Sequence, residues 1–360
     1  MRKIVIIQDH LNYGGVETCN INLANRLVEL GHQVELTTIL NSQLQKNKLD
    51  RKVNLTTLNS MSVSGSLSSL IKLFRKTDAD IVISGKEYVN IFAVLAHKLS
   101  LSKVKHLAVI HTDLEDEFKY KTGKKDKIVK VLSRYAYRYA DILGCVSKQI
   151  ADKVKKHYRL SRKIETLYNP VSLSQDYNSS LKQVKELQAE GKKVIIACGR
   201  LTLAKNHKFL LDEFAAALAR NNNLHLIILG DGELRSNIET QIKKLAIANN
   251  VTLQGAVDNP KDYFATADIF VHTSLYEGFG IVVVEALSTG AKILTTNIPT
   301  MKELLECGKY GIISEKSFSK DILIALDSSF DKNANIERAN DFSIENSTQA
   351  YIDLIERECS

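Results

Sequence analysis

A chain of 360 residues with 44% hydrophobic and 25% charged residues has the composition of an ordinary soluble globular protein, and its length implies two domains. No apolar run approaches the roughly 20 residues that span a bilayer. The stretch Met1–Gln8 is too short in apolar residues for a secretory signal, and five scattered cysteines exclude a disulfide framework or a C-x-x-C zinc site. This cysteine pattern fits a reducing cytoplasm, which is the expected location. The net charge of +8 is uneven: residues 1–170 hold 29 Lys and Arg against 16 Asp and Glu, and the remainder 20 against 25. The first half is therefore suited to a polyanion or an anionic membrane, although no nucleic-acid recognition module is visible.

Short β-branched runs alternate with helical patterns along the chain. Strands are expected at 3–8, 33–39, 53–58, 80–84, 104–110, 141–146 and 164–168, then at 193–198, 225–229, 251–254, 268–272, 292–296 and 310–313. Val16, Cys19, Leu23, Leu27 and Leu30 mark the first helix, which Gly31-His32 closes. Such alternation implies an α/β protein with parallel sheets and helices on both faces. Residues 169–192 are polar and end at Gly191, which reads as a linker between domains 1–168 and 193–342. In doubly wound domains ligands bind beyond the carboxyl ends of the strands, here in the cleft between the two domains.

The loops after strands hold the informative residues. Gly14-Gly15 follows the first strand and lets backbone approach a phosphate, with a plain tight turn as the competing reading. Asp78-Ala79-Asp80 looks like a metal-diphosphate pair but precedes its strand, at the wrong sheet edge. His111 ends the strand at 104–110, where a structural role is the alternative. Arg200 and Lys205 follow the strand at 193–198; together they can neutralise a diphosphate, or stand as a solvated surface pair. Gly230-Asp231-Gly232-Glu233 reads mainly as a turn and helix cap. In Tyr276-Glu277-Gly278-Phe279-Gly280-Ile281, a glycine loop leads to Glu285; a helix starting near Gly280 would aim backbone amides at an anion. Ile281–Val284 has the local preference of a strand, so that helix needs tertiary support. Two cations and a helix N-terminus suit a pyrophosphate, and two carboxylates suit the hydroxyls of two sugars: the combination describes a nucleotide sugar.

Residues 119–139 are rich in Lys and Arg. Ile128, Val131, Leu132, Tyr135 and Tyr139 form an apolar stripe beside Lys127, Lys130, Arg134 and Arg138. Either the stripe faces the core and the charges face water, or the surface, with Lys124 and Lys125, grips anionic lipid or a lipid-linked diphosphate.

In order and spacing these motifs resemble the family 4 retaining glycosyltransferases of GT-B fold, over nearly the whole chain. The resemblance rests on Gly14-Gly15-Val16-Glu17, Asn22-Leu23-Ala24, Gly31-His32-Gln33-Val34, Gly199-Arg200, Lys205-Asn206, Gly230-Asp231-Gly232, Glu277 through Glu285, and Phe342-Ser343-Ile344-Glu345 with Tyr351. It implies two Rossmann-like domains facing across a cleft, with the last helix, about 343–360, crossing back to the N-terminal domain. It also implies roles. Glu285 would bind ribose hydroxyls and Glu277 the donor-sugar hydroxyls. Arg200, Lys205, Gly15 and the amides of Phe279, Gly280 and Ile281 would take the diphosphate, with Gly14, Gly199 and Gly278 also in the donor-binding site. His111 would lie near the transferred sugar and Val257 near the base. No metal or other cofactor is expected, since Arg and Lys replace it. Two departures stand out: Asn297-Ile298-Pro299-Thr300 replaces a glycine-rich loop, and Lys292 stands where an apolar residue or proline is frequent.

The expected activity is transfer of a hexose or N-acetylhexosamine from a nucleotide sugar, UDP-linked by family frequency, to a glycan on a lipid-diphosphate carrier, for a surface polysaccharide. The enzyme would sit peripherally on the cytoplasmic membrane face. A sugar-nucleotide epimerase of similar fold and a non-catalytic sugar-binding protein are the alternatives.

Overall fold

The computed structural model describes residues 1–112, 114–120 and 123–359. The chain divides into two compact units, Met1–Ser172 with Phe342–Ser360, and Leu173–Asp341.

Among the described residues the first unit holds seven strands, β1 (Lys3–Gln8), β2 (Gln33–Thr38), β3 (Asn54–Thr57), β4 (Ile81–Gly85), β5 (Lys105–Ile110), β6 (Ile142–Cys145) and β7 (Glu165–Thr166). They pair in parallel in the order β3-β2-β1-β4-β5-β6-β7. Central strands of such a sheet are covered on both faces and so read as continuous apolar runs. Ile4, Ile6, Ile7, Ile81, Val82, Leu107 and Ala108 are accordingly almost wholly buried. The strand order reverses between β1 and β4, so the loops that follow β1, β4 and β5 gather at the switch point.

The first helix, Gly15–Glu29, buries Cys19, Leu23 and Leu27, while Leu30 is exposed. Gly31 adopts φ 87° and ends it, as the Gly-His pair suggested. Asp80 sits at the opposite sheet edge and accepts from the Lys3 amide at 2.7 Å, a structural role.

The second unit holds β8 (Lys193–Cys198), β9 (Leu224–Leu229), β10 (Val251–Gly255), β11 (Ile269–His272), β12 (Ile293–Thr296) and β13 (Ile312–Ser314) among its described residues. Their parallel order is β10-β9-β8-β11-β12-β13, with the switch between β8 and β11.

Residues 169–192 are not a free linker. Residues 169–172 close the first unit, where Val171 bridges to Ser343. Residues 173–192 belong to the second unit and include the helix Lys182–Ala189. That helix buries Val184, and Gln188 Nε2 donates to the Thr266 carbonyl at 3.1 Å. Upstream of it the Asn178 amide donates to Asp262 Oδ1 at 2.7 Å. A few such anchors suffice to order a segment of polar composition.

The last helix, Ile344–Glu358, returns to the first unit and buries Tyr351, Leu354 and Ile355. Ser347 Oγ donates to the Asn169 carbonyl at 3.3 Å, and the Phe342 and Tyr168 rings meet edge-on at 5.1 Å.

The helix Lys124–Tyr139 turns out opposite to a core-facing stripe. Val129, Ser133, Ala136, Tyr137 and Ala140 face inward, whereas Ile128, Val131, Leu132, Tyr135 and Tyr139 are exposed. The inward face is fixed by polar anchors that hydropathy does not register: Tyr137 Oη donates to Glu87, and Ser133 Oγ lies 3.1 Å from Tyr158 Oη. Lys121 and the side chains of Lys124 and Lys125 lie outside the described residues.

Candidate active site

The second unit brings the sequence-predicted carboxylates and cations to its switch point. Beyond β8 the chain runs through Gly199 and an exposed Arg200 into the short turn Leu203–Lys205. Beyond β11 it runs from Thr273 to Gly280 and then into the helix Ile281–Ser288. The two loops are stitched together: the Leu275 amide donates to the Ala204 carbonyl at 2.8 Å, and Thr273 Oγ1 to the Lys205 carbonyl at 3.1 Å.

This stitching delivers Lys205 to Glu277, and the two form an ion pair. Glu277 Oε1 also accepts from Ser274 Oγ at 2.8 Å and lies 3.0 Å from His272 Nε2. Burial alone would raise the Glu277 carboxyl, but the Lys205 charge and the His272 hydrogen bond outweigh it and hold the group well below the usual carboxylate range. Glu277 is therefore an anion at any physiological pH. Lys205 is engaged with that anion.

The helix at Ile281 forms despite its sequence. Four β-branched residues in succession cost about 2 kcal/mol in helix propensity. Val283, Val284 and Leu287 are fully buried, and each such burial contributes about 1.5–3 kcal/mol, so packing wins. Gly280 caps the helix at φ 93°, a conformation that side chains disfavour. Glu285 lies on the fifth residue of this helix, half-buried. Burial pushes its carboxyl up to about 7, against the pull of the Lys261 charge. Lys261, itself buried, donates to the Ser174 carbonyl at 3.1 Å.

Gly230 and Gly232 support the Arg200 loop. A Cβ on Gly230 would come within 2.2 Å of the Gly199 carbonyl oxygen, and one on Gly232 within 2.6 Å of the Leu201 carbonyl oxygen. The Leu201 amide donates to the Asp231 carbonyl at 3.0 Å, so the motif packs backbone against backbone. Among the described residues Arg200 makes no ion pair. Val257 is half-buried in the loop after β10.

The residues that depart from the family pattern also have places. Thr300 Oγ1 donates to the Glu277 carbonyl at 2.9 Å, and Thr296 Oγ1 to the Ser274 carbonyl at 2.9 Å, so the Asn297–Thr300 loop braces the carboxylate loop from behind. Lys292 donates to the carbonyls of Leu326 and Ser328 at 3.2 and 2.6 Å. His272, Ser274, Thr296 and Lys261 were not singled out from sequence, and Thr300 only as part of a loop that departs from the family pattern. Their one legible signal is position, since His272 and Thr296 each end a strand beside the switch.

The first unit carries Gly14, Gly15 and His111. The Glu17 carboxylate folds over Gly14, where a Cβ would lie 2.3 Å from Glu17 Oε2. Glu17 is 3% exposed, pairs with Lys86, and lies 3.2 Å from His10 Nδ1. Lys86 also donates to both oxygens of Asp9 at 2.9 Å. Asp9, His10 and Glu17 present ligand-type atoms within 4.8 Å of one another, but the Lys86 ammonium already bridges the two carboxylates. This network at the ends of β1 and β4 was not read from sequence. His111 follows β5 beside Gly85. Burial and the Lys86 charge push its imidazole down to about 4, so it is neutral at physiological pH.

The comparisons with known proteins agree with this architecture. Residues 13–175 match the model for Glycosyltransferase Family 4, and residues 179–346 the model for glycosyl transferases group 1. An uncharacterized glycosyltransferase of Methanocaldococcus jannaschii is 30% identical over 278 residues, covering 71% of this chain and 68% of that protein. A Campylobacter jejuni alpha-1,4-N-acetyl-D-galactosaminyltransferase, named for its GalNAc-alpha-(1->4)-GalNAc-alpha-(1->3)-diNAcBac-PP-undecaprenol acceptor, is 27% identical over 99% of this chain and 98% of its own length. Among solved structures, Anabaena HepE in complex with UDP and glucose superposes with a TM-score of 0.80 at 17% identity, covering 99% of this chain and all of that one. The chain belongs to the family 4 glycosyltransferases and has their GT-B fold.

Proposed function

We propose that this glycosyltransferase is a retaining, metal-independent hexosyltransferase that uses a UDP-linked hexose or N-acetylhexosamine and extends a glycan on a lipid-diphosphate carrier. The observation that carries the reading is the meeting of Lys205 and Glu277 at the switch point of the second unit, beside the N-terminus of Ile281–Ser288. Glu285 takes the ribose hydroxyls and Glu277 the hydroxyls of the donor sugar. Arg200, Lys205 and the helix N-terminus take the diphosphate. In the reaction the anomeric C–O bond to the diphosphate breaks and a new one to the acceptor oxygen forms on the same face. The acceptor proton passes to the departing phosphate oxygen. Negative charge grows on that leaving group, and preorganised cations stabilise it more than the ground state. His111, neutral and half-buried, offers a hydrogen-bonding imidazole to a sugar. The carrier assignment draws on the Campylobacter relatives, whose names specify undecaprenol-diphosphate glycans.

The first unit supplies a surface suited to the membrane that such a carrier occupies. Ile128, Tyr135 and Tyr139 are 59%, 60% and 57% exposed, and a shallow apolar groove joins Tyr135 and Tyr139 to Ile91, Val94 and Leu95. Lys127, Lys130, Arg134 and Arg138 flank the stripe. Tyrosines and aliphatics among cations match an anionic lipid interface, at about 1 kcal/mol per basic residue near the surface. No described helix is long and apolar enough to cross a membrane.

The test is nucleotide release from UDP-Glc, UDP-Gal, their N-acetyl forms and GDP-Man, in EDTA, with and without vesicles of bacterial lipid extract. Lipid-stimulated release, abolished in Lys205→Ala and retaining anomeric configuration in the product, is the expected result. Val131→Ser/Tyr135→Ser/Tyr139→Ser should remove the lipid stimulation and vesicle co-sedimentation alone. Loss of release in EDTA, an inverted product, or a sugar nucleotide that merely changes configuration would each overturn the reading.

A further inference from the structure

We propose that His272 is a positioning residue of the transfer reaction, donating from Nε2 to Glu277 Oε1 and so leaving Oε2 as the oxygen offered to the donor sugar. The inference rests on the reading of Glu277 as the group that holds the donor-sugar hydroxyls. Three donors converge on one oxygen: Lys205 Nζ, Ser274 Oγ at 2.8 Å and His272 Nε2 at 3.0 Å. Among the described residues no hydrogen bond reaches Oε2. One carboxylate oxygen is thus saturated by the protein, and the other is left for a ligand.

His272 is the rigid member of this set. It ends β11, is 3% exposed, and its Nε2 also lies 3.1 Å from Ser274 Oγ, so a single ring proton ties both groups together. Because its partner Oε1 is an acceptor, the imidazole carries its proton on Nε2. Nδ1 is then a bare acceptor, buried and without a partner. Burial also keeps the ring neutral, holding it below the usual histidine range against the pull of Glu277. A buried, unsatisfied ring nitrogen destabilises the fold, and a leucine of similar size would avoid that penalty. The arrangement gains what an apolar residue lacks, a fixed donor at the end of a central strand that holds a carboxylate in one rotamer.

The experiment compares His272→Leu, His272→Gln and Glu277→Gln. The probes are UDP and whichever of UDP-Glc, UDP-Gal and their N-acetyl forms turns over fastest. His272→Leu should lower kcat/KM for the nucleotide sugar at least about tenfold while leaving the Kd for UDP within about twofold. His272→Gln, whose amide can donate from nearly the same place, should recover most of the loss. Equal weakening of UDP and sugar-nucleotide binding, or no effect of His272→Leu where Glu277→Gln is impaired, would sink the proposal alone. A harmless Glu277→Gln would instead remove the reading beneath it. Independently of donor and of variant folding, long-range 15N–1H spectra of the wild-type protein should show His272 as the neutral Nε2–H tautomer from pH 6 to 8. An Nδ1–H tautomer, or titration near pH 6.5, overturns it.

Discussion

Glu285 and Glu277 are eight residues apart in sequence and opposite in character. Lys205 and His272 keep Glu277 ionised, whereas burial raises Glu285 to about 7 from an ordinary 4.5. A folded-state value above the unfolded one means that the native chain binds the extra proton. Stability supplied by this group is therefore complete below pH 4.5 and is lost as pH rises through 7. Replacing Glu285 with Gln should raise the thermal midpoint at pH 8 and leave it unchanged at pH 4. If Glu285 holds the ribose as proposed, the same change should weaken UDP, because it removes an ionised acceptor for the two hydroxyls. Wild-type affinity for UDP should climb from pH 6 to pH 8 by up to about tenfold, and that of Glu285→Gln should stay flat. A flat wild-type profile would show that the proton on Glu285 is irrelevant to the nucleotide.

At the scale of elements, the helix Ile281–Ser288 depends on its cap and its burial. In Gly280→Ala, a Cβ would meet Met301 Cε at 2.7 Å with the backbone still at φ 93°. The strained conformation alone costs about 1–2 kcal/mol, so a lowered thermal midpoint and weakened UDP binding are expected. An unchanged midpoint would mean that the loop re-forms around another conformation. This helix also marks where the sequence stops being legible. The strands could be read because each is a local β-branched run bounded by turn residues. The element at Ile281 has the same local look, and only the packing of Val283, Val284 and Leu287 makes it helical. Lys124–Tyr139 shows the reverse: its periodicity was plain, but the face turned to the core is set by Tyr137 and Glu87, which no hydropathy pattern weighs. The site carboxylates and cations were visible as charged residues after strands. Their brace of His272, Ser274, Thr296 and Thr300 was not, because ordinary polar residues acquire meaning only when the loops meet.

For the whole molecule, the two parallel sheets followed from the alternation of strands and helices, but the limits of the units did not. Polar composition marks a linker only when nothing anchors it, and Val184, Gln188 and Asn178 anchor residues 173–192. Removing residues 342–360 should loosen the first unit alone. Hydrogen exchange should accelerate in Gly15–Glu29, which packs against the last helix, and remain slow in Ile281–Ser288. Equal acceleration in both would show that the units share one cooperative core. The division at Ser172 and Phe342 has a temporal side as well. On the ribosome the second unit emerges as one uninterrupted segment and can complete itself as it appears. The first unit, although synthesised earlier, must wait with an open flank until Ile344–Glu358 arrives. The first unit, begun before the second, thus finishes after it, and its apolar flank stays open in the meantime.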